Sequence, residues 1–214
     1  MFPVYSKIQN DRKLFHDLAG RSMRLISYCA DFILFLFILI ARPLIVFLYG
    51  DKWIEAIPYF QILCIGGLFT CLQNINYYAV AAVGKSRILF RWGIYKWSML
   101  LLLLLVGSHW GMYGILWGMV ISKFNIFMVN AFLTARYVGY SMVNQLRDIL
   151  SVLGIGCISF VAAWGITQIM GNSHLIYNLL TYTGVNCLAT FMFRPRIIQD
   201  IKGIKHIIFE KIHL

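Results

Sequence analysis

Six apolar stretches, each about as long as a helix needs to cross a bilayer, alternate with short polar gaps along this chain. They are Leu25–Leu48, Tyr59–Val83, Phe90–Val106, Met112–Leu133, Leu150–Met170 and Tyr177–Met192. Hydrocarbon about 30 Å thick takes roughly 20 helical residues to cross, because each residue rises only ~1.5 Å. A lipid-facing strand or loop would leave backbone N–H and C=O groups unpaired, so the stretches must be helices. The pattern predicts an all-α, polytopic transmembrane helical bundle of six spans, with residues 25–193 as the transmembrane domain. Residues 1–24 read as an amphipathic lead-in, with Asp11 capping a helix that carries Leu14, Phe15, Leu18 and Leu25. Residues 194–214 read as a basic amphipathic surface helix, with Ile197, Ile201, Ile204, Ile208 and Ile212 on one stripe and Lys202, Lys205 and Lys211 off it.

Charge then orients the bundle. Lys7, Arg12, Lys13, Arg21 and Arg24 precede the first span, and Lys85, Arg87 and Arg91 occupy the second gap. Arg136 and Arg147 occupy the fourth, and Arg194, Arg196, Lys202, Lys205 and Lys211 follow the last span. The other side holds only Lys52, since Gly107–Gly111 and Gly171–His174 contain no Lys or Arg. By the positive-inside rule both termini are expected in the cytoplasm. The net charge of +11, in a chain that is 60% hydrophobic, then reads as attraction to anionic lipid headgroups rather than to nucleic acid. Trp53, Tyr59, Trp110 and Tyr113 outside, with Trp92, Tyr137 and Tyr140 inside, are expected to form interfacial belts. Met1-Phe2-Pro3 lacks a basic head followed by an apolar run, so no signal peptide is expected.

Several motifs dissolve in this context. Ala79-Val80-Ala81-Ala82-Val83-Gly84-Lys85-Ser86 matches a relaxed nucleotide-binding loop, but its first glycine is Ala79 and its first five residues finish a membrane helix. Phosphate cradling needs a glycine-rich turn between strand and helix, so Gly84-Lys85-Ser86 is read as a tight turn with a positive-inside lysine. Cys29, Cys64, Cys71, Cys157 and Cys187 all fall inside spans. Cys64 and Cys71 share a helix face, but without a His or carboxylate beside them they are packing residues, not a metal site. Gly111, Gly114 and Gly118 form a small-residue stripe that lets a neighbouring helix approach closely. The sequence implies no cofactor and no metal.

The informative residues are charges inside spans. Asp31 and Arg42 are eleven positions apart, about 20° on a helix and ~16 Å along its axis. Lys123 sits near the middle of the fourth span with Asn130 on the same face, and Lys96 lies inside the third. Gln73, Asn74, Asn76, Tyr77 and Tyr78 crowd one half of the second span. A central charge costs roughly 2.5–3.5 kcal/mol by insertion scales, and such residues usually face a bundle interior or a wet cavity. Arg42, Lys123, Asp31, Lys96 and Asn130 are therefore the candidate lining of a substrate cavity. For Arg42 and Lys96 the alternative is snorkelling towards headgroups, and for Lys123 and Asp31 it is a structural ion pair.

Phe2-Pro3-Val4-Tyr5-Ser6-Lys7 with Asp11, then Ala41-Arg42-Pro43-Leu44-Ile45 and Leu48-Tyr49-Gly50-Asp51-Lys52-Trp53, resembles the polysaccharide-exporting flippases of the multidrug/oligosaccharidyl-lipid/polysaccharide superfamily. Ala82-Val83-Gly84-Lys85-Ser86, Gly111-Met112-Tyr113-Gly114-Ile115-Leu116-Trp117-Gly118, and Val138-Gly139-Tyr140-Ser141 to Gln145-Leu146-Arg147-Asp148 continue the resemblance in order. It covers the chain to about residue 150, while the last two spans match by hydrophobicity alone. The resemblance implies the C-terminal lobe (helices nine to fourteen) of a MATE-like flippase. The first lobe and two helices of the second would then be missing partners, as in a truncated reading frame or a C-terminal domain.

The resemblance also implies a substrate: an undecaprenyl-pyrophosphate-linked oligosaccharide, moved across the bacterial inner membrane for O-antigen, lipopolysaccharide or other polysaccharide biosynthesis. No bond is broken in such transport, so an enzyme is not expected. Three rival readings stay open. A cation-coupled drug antiporter of the same superfamily would want intramembrane carboxylates such as Asp31. A membrane transferase would want paired groups, but His16, His109, His174, His206 and His213 are scattered. A structural membrane subunit would need none of these.

Overall fold

The computed structural model describes residues 5–6, 12–169, 175–193, 200 and 203. Six α-helices follow one another: α1 Arg12–Tyr49, α2 Ile57–Ala82, α3 Ser86–Ser108, α4 Gly111–Val138, α5 Met142–Ile169 and α6 Leu175–Phe193, with a 3-10 turn at Asp51–Ala56 between α1 and α2. The expected cap at Asp11 and the isoleucine stripe of the tail lie outside the described residues.

Among the described residues, five of the six helices are long and apolar enough to cross a membrane. The exception is α6, expected as a sixth span, and its own side chains explain the shortfall. Asn178 and Asn186 are buried, turned into the bundle, and Thr181, Thr183 and Thr190 return their hydroxyls to carbonyls one turn back. The lead-in and the first span form one unbroken helix, α1, whose 38 residues reach about 57 Å at ~1.5 Å per residue, well beyond the hydrocarbon.

Side-chain pairs fix the helix directions. Tyr59–Tyr113, Phe69–Phe124 and Asn76–Thr134 advance together, so α2 and α4 run parallel, with α3 antiparallel against α4. Arg24–Asp148 and Phe35–Phe160 likewise make α1 and α5 parallel, and α6 returns along α1 through Phe32–Tyr182 and Tyr28–Asn186. The bundle is thus two three-helix groups, α2/α3/α4 and α1/α5/α6, joined where α1 packs on α2. The largest core cluster lies at the basic end, where Phe15, Leu18 and Met23 of α1 meet Leu72 and Ile75 of α2, Phe127 of α4 and Ile149 of α5. Apolar side chains such as Phe90, Trp97, Leu101 and Leu105 on α3 face outward, as a lipid-facing surface requires.

The glycine stripe packs as expected, with one change of membership. A Cβ on Gly114 would run into the backbone of Gly107, and one on Gly118 into the Leu103 carbonyl, so α3 and α4 touch main chain to main chain there. Gly111 has open space around it and a φ of 68°, which makes it the turn residue that starts α4. At Gly84, φ is 74° and its N–H donates to the Ala81 carbonyl at 3.0 Å, closing the tight helix-to-helix turn read from the sequence. That connection has no strand before it, so the phosphate-loop geometry is absent.

Two other expectations change. Tyr140 is no belt residue: it is 1% exposed and donates its hydroxyl to Asp148. The five cysteines are free, but only Cys64 is buried and Cys71 partly so, while Cys29, Cys157 and Cys187 lie on the outer surface.

Candidate functional site

The polar side chains of α2, α3 and α4 meet in a cavity of about 70 Å³. Gln73, Asn74 and Tyr77 come from α2, Trp92, Tyr95 and Lys96 from α3, and Asn130 from α4. The helical pattern explains the convergence. Gln73 and Tyr77 are four apart, and Trp92 and Lys96 are four apart, so each pair shares one face of its helix. Gln73 is 6% exposed and its Oε1 has no hydrogen-bond partner, so the wall carries an unmatched acceptor. Lys96 supplies donors from the opposite wall and holds its ammonium 5.9 Å from the Trp97 ring centre. Acceptor amides beside an ammonium suit a ligand that carries both negative charge and hydroxyl groups.

Lys123 stands on the same α2–α4 seam, two turns towards the opposite end from Asn130. Its side chain runs along Gly66 of α2, where a Cβ would come within 3.3 Å of Lys123 Cδ and 3.5 Å of Nζ. Glycine at that point gives the long cation room between two helices. Neither Lys96 nor Lys123 forms an ion pair with a described residue.

The remaining two sequence candidates are elsewhere. Arg42 is exposed on α1. Asp31 is 2% exposed and faces Gly156 of α5, with a separate apolar cavity of about 100 Å³ beside it. The equal-face arithmetic for Asp31 and Arg42 holds along the helix, but a face is buried only where a neighbour covers it. The structure therefore brings Lys96 and Asn130 to one cavity and Lys123 to its seam, and leaves Asp31 and Arg42 apart.

A second constellation escaped the sequence reading. Arg24 holds Asp200 in a two-pronged pair, Nε to Oδ2 and Nη2 to Oδ1, both at 2.7 Å, and reaches Asp148 at 3.3 Å. Tyr140 donates to the other Asp148 oxygen at 2.6 Å, with His16 edge-on to the Tyr140 ring at 5.1 Å. Burial, reinforced by the adjacent Asp148 carboxylate, pushes the Tyr140 phenol above the ordinary tyrosine range. This cluster ties α1, α5 and residue 200 together at the basic end. The signal available beforehand was the scarcity of acids on a basic flank, where each carboxylate must find one of many cations.

Residues 1–58 match the family described as "Polysaccharide biosynthesis protein". A Klebsiella pneumoniae protein described as "Uncharacterized membrane protein in cps region" is 23% identical over 215 residues, covering 95% of this chain and 43% of the relative. Both likenesses support a polysaccharide-biosynthesis membrane family. The chain thus spans less than half the length of that relative. No solved structure matches it.

Proposed function

We propose that this chain is the C-terminal portion of a flippase that carries an undecaprenyl-pyrophosphate-linked oligosaccharide across the bacterial inner membrane, with the α2/α3/α4 seam contacting the polar headgroup. The single observation behind it is the polar cavity where Lys96 faces Gln73 and Asn130, on a seam that also holds Lys123, which has no counter-ion among the described residues. A pyrophosphate supplies the missing anion and sugar hydroxyls supply donors for Gln73 Oε1, while the polyprenyl tail stays in lipid. The match to a polysaccharide biosynthesis family and the relative from a cps region agree with a substrate of this kind. Movement would follow from alternating access, with a second lobe completing the cavity opposite these helices.

The orientation belongs to the same reading: the basic end, with Lys85, Arg87, Arg136 and Arg147, faces the cytoplasm and Lys52 faces outward. Impermeant thiol reagent should then modify a cysteine placed at position 52, and not one at position 85, in a cysteine-free chain; the reverse pattern reverses the topology. For the substrate, the test is binding to the purified chain in lipid nanodiscs. Undecaprenyl pyrophosphate should bind saturably and undecaprenol should only partition. Equal, unsaturable uptake of both would overturn the proposal.

A further inference from the structure

We propose that Asp31 is a proton-binding site, held as the neutral acid where α1 packs on α5 and able to ionise only when those helices part. Its side chain is 2% exposed, and Oδ1 has no hydrogen-bond partner. On one side the carboxyl group lies so close to Gly156 that a Cβ there would overlap it. On the other is a cavity of about 100 Å³ lined by Leu34, Phe35 and Ile38 of α1 and Cys64, Ile65 and Leu68 of α2, whose walls are wholly apolar. Apolar walls of this kind give a water molecule no hydrogen-bond partners to hold it.

Among the described residues, the titratable groups facing Asp31 carry no compensating charge. They are Cys157 on α5, Tyr182 on α6 and Cys64 on α2, while the Tyr28 hydroxyl, one turn back on α1, is engaged with Asn186 and Thr190. The Tyr182 hydroxyl makes no hydrogen bond to it. Arg24 is two turns away and committed to Asp148 and Asp200. Lys123 meets α2 at Gly66 and forms no ion pair with Asp31. An unpaired carboxylate in hydrocarbon is so costly that the group takes up a proton instead. A metal cation would need several oxygens, which the cavity does not offer; a proton needs only the carboxylate.

Along the parallel α1/α5 pair, Arg24–Asp148 and Asp31–Gly156 are successive contacts, seven residues apart on α1 and eight on α5. Water can reach Asp31 from the basic end only by parting the helices at that ion pair. Proton release is thereby tied to a packing change, whatever the ligand of the α2/α3/α4 cavity proves to be.

The test is infrared spectroscopy of the full chain in bilayers, which contains no substrate and so stands apart from the flippase reading. Wild-type protein at neutral pH should show the carbonyl stretch of a neutral carboxylic acid. Asp31→Asn should lose that band completely while keeping its membrane abundance and melting temperature, because an amide copies the shape and neutrality of the protonated acid. A folded wild-type chain without the band would overturn the proposal. So would a marked fall in the melting temperature or abundance of Asp31→Asn, the result expected if Asp31 were ionised and held by a cation.

Discussion

The two three-helix groups treat buried charge in opposite ways. In α1/α5/α6, Arg24 is gripped by two carboxylates, and Asp31 is pressed against a glycine and forms no ion pair with a described residue. In α2/α3/α4, Lys96 lines a polar cavity and Lys123 lies along Gly66, and neither forms an ion pair with a described residue. A cation with its counter-ion in place holds helices together. One without it, beside the unmatched Gln73 acceptor, would leave a position for an anionic ligand to complete on the proposed reading. On that reading, the first group holds the bundle together and the second contacts substrate.

The largest effect should come from closing the space between helices. Gly114→Ala would drive a Cβ into the Gly107 backbone, and an overpacked contact with no flexible side chain to yield should cost about 3 kcal/mol, the upper end of such changes. Melting in detergent measures it; an unchanged midpoint would mean that α3 and α4 are not in main-chain contact. Arg24→Ala comes next. Breaking a buried pair costs about 3–5 kcal/mol, and with side chains of Arg24 and Asp148 23% and 22% exposed, we expect about 2–3 kcal/mol. By comparison Asp17→Asn removes an exposed i,i+4 partner of Arg21 and should cost under about 0.5 kcal/mol. Equal losses from these two would erase the distinction between a structural cluster and a surface pair.

Tyr140→Phe sharpens the same contrast more gently, at about 1–2 kcal/mol for a lost bond to a charged acceptor. Its pH dependence has a definite sign. Because the folded phenol titrates above its unfolded value, its contribution is complete below about pH 10 and is lost as pH climbs through the folded value. Wild type should therefore lose stability relative to Tyr140→Phe on going alkaline, which parallel melts at rising pH would show. At the cavity, Lys96→Gln should move stability by no more than about 0.5 kcal/mol, since it leaves no described carboxylate unpaired.

Much of this fold was readable from periodicity and turn chemistry. The apolar stretches became α1 to α5, Gly84 made its turn, and Gly114 and Gly118 made their close contact. The sixth stretch also became a helix, and its length alone did not show that Asn178 and Asn186 would form its buried face. The site was half legible. Sequence gives a residue's depth in a span, so Lys96, Lys123 and Asn130 stood out; it does not say which neighbour covers a face, so Asp31 and Arg42, placed on one face by spacing, joined the same candidate lining. For the Arg24 cluster, charge on the basic flank hinted at ion pairs but could not say which, because its partners lie 124 and 176 positions away, where no spacing rule applies.

The most direct measurement is the affinity of undecaprenyl pyrophosphate for nanodisc-embedded wild type, Lys96→Gln, Lys123→Gln and Asp31→Asn side by side. Each lysine variant should bind at least about tenfold more weakly, a loss of about 1.4 kcal/mol, while Asp31→Asn binds like wild type. Unchanged affinity in both lysine variants, or a loss confined to Asp31→Asn, would contradict the assignment of recognition to the α2/α3/α4 seam.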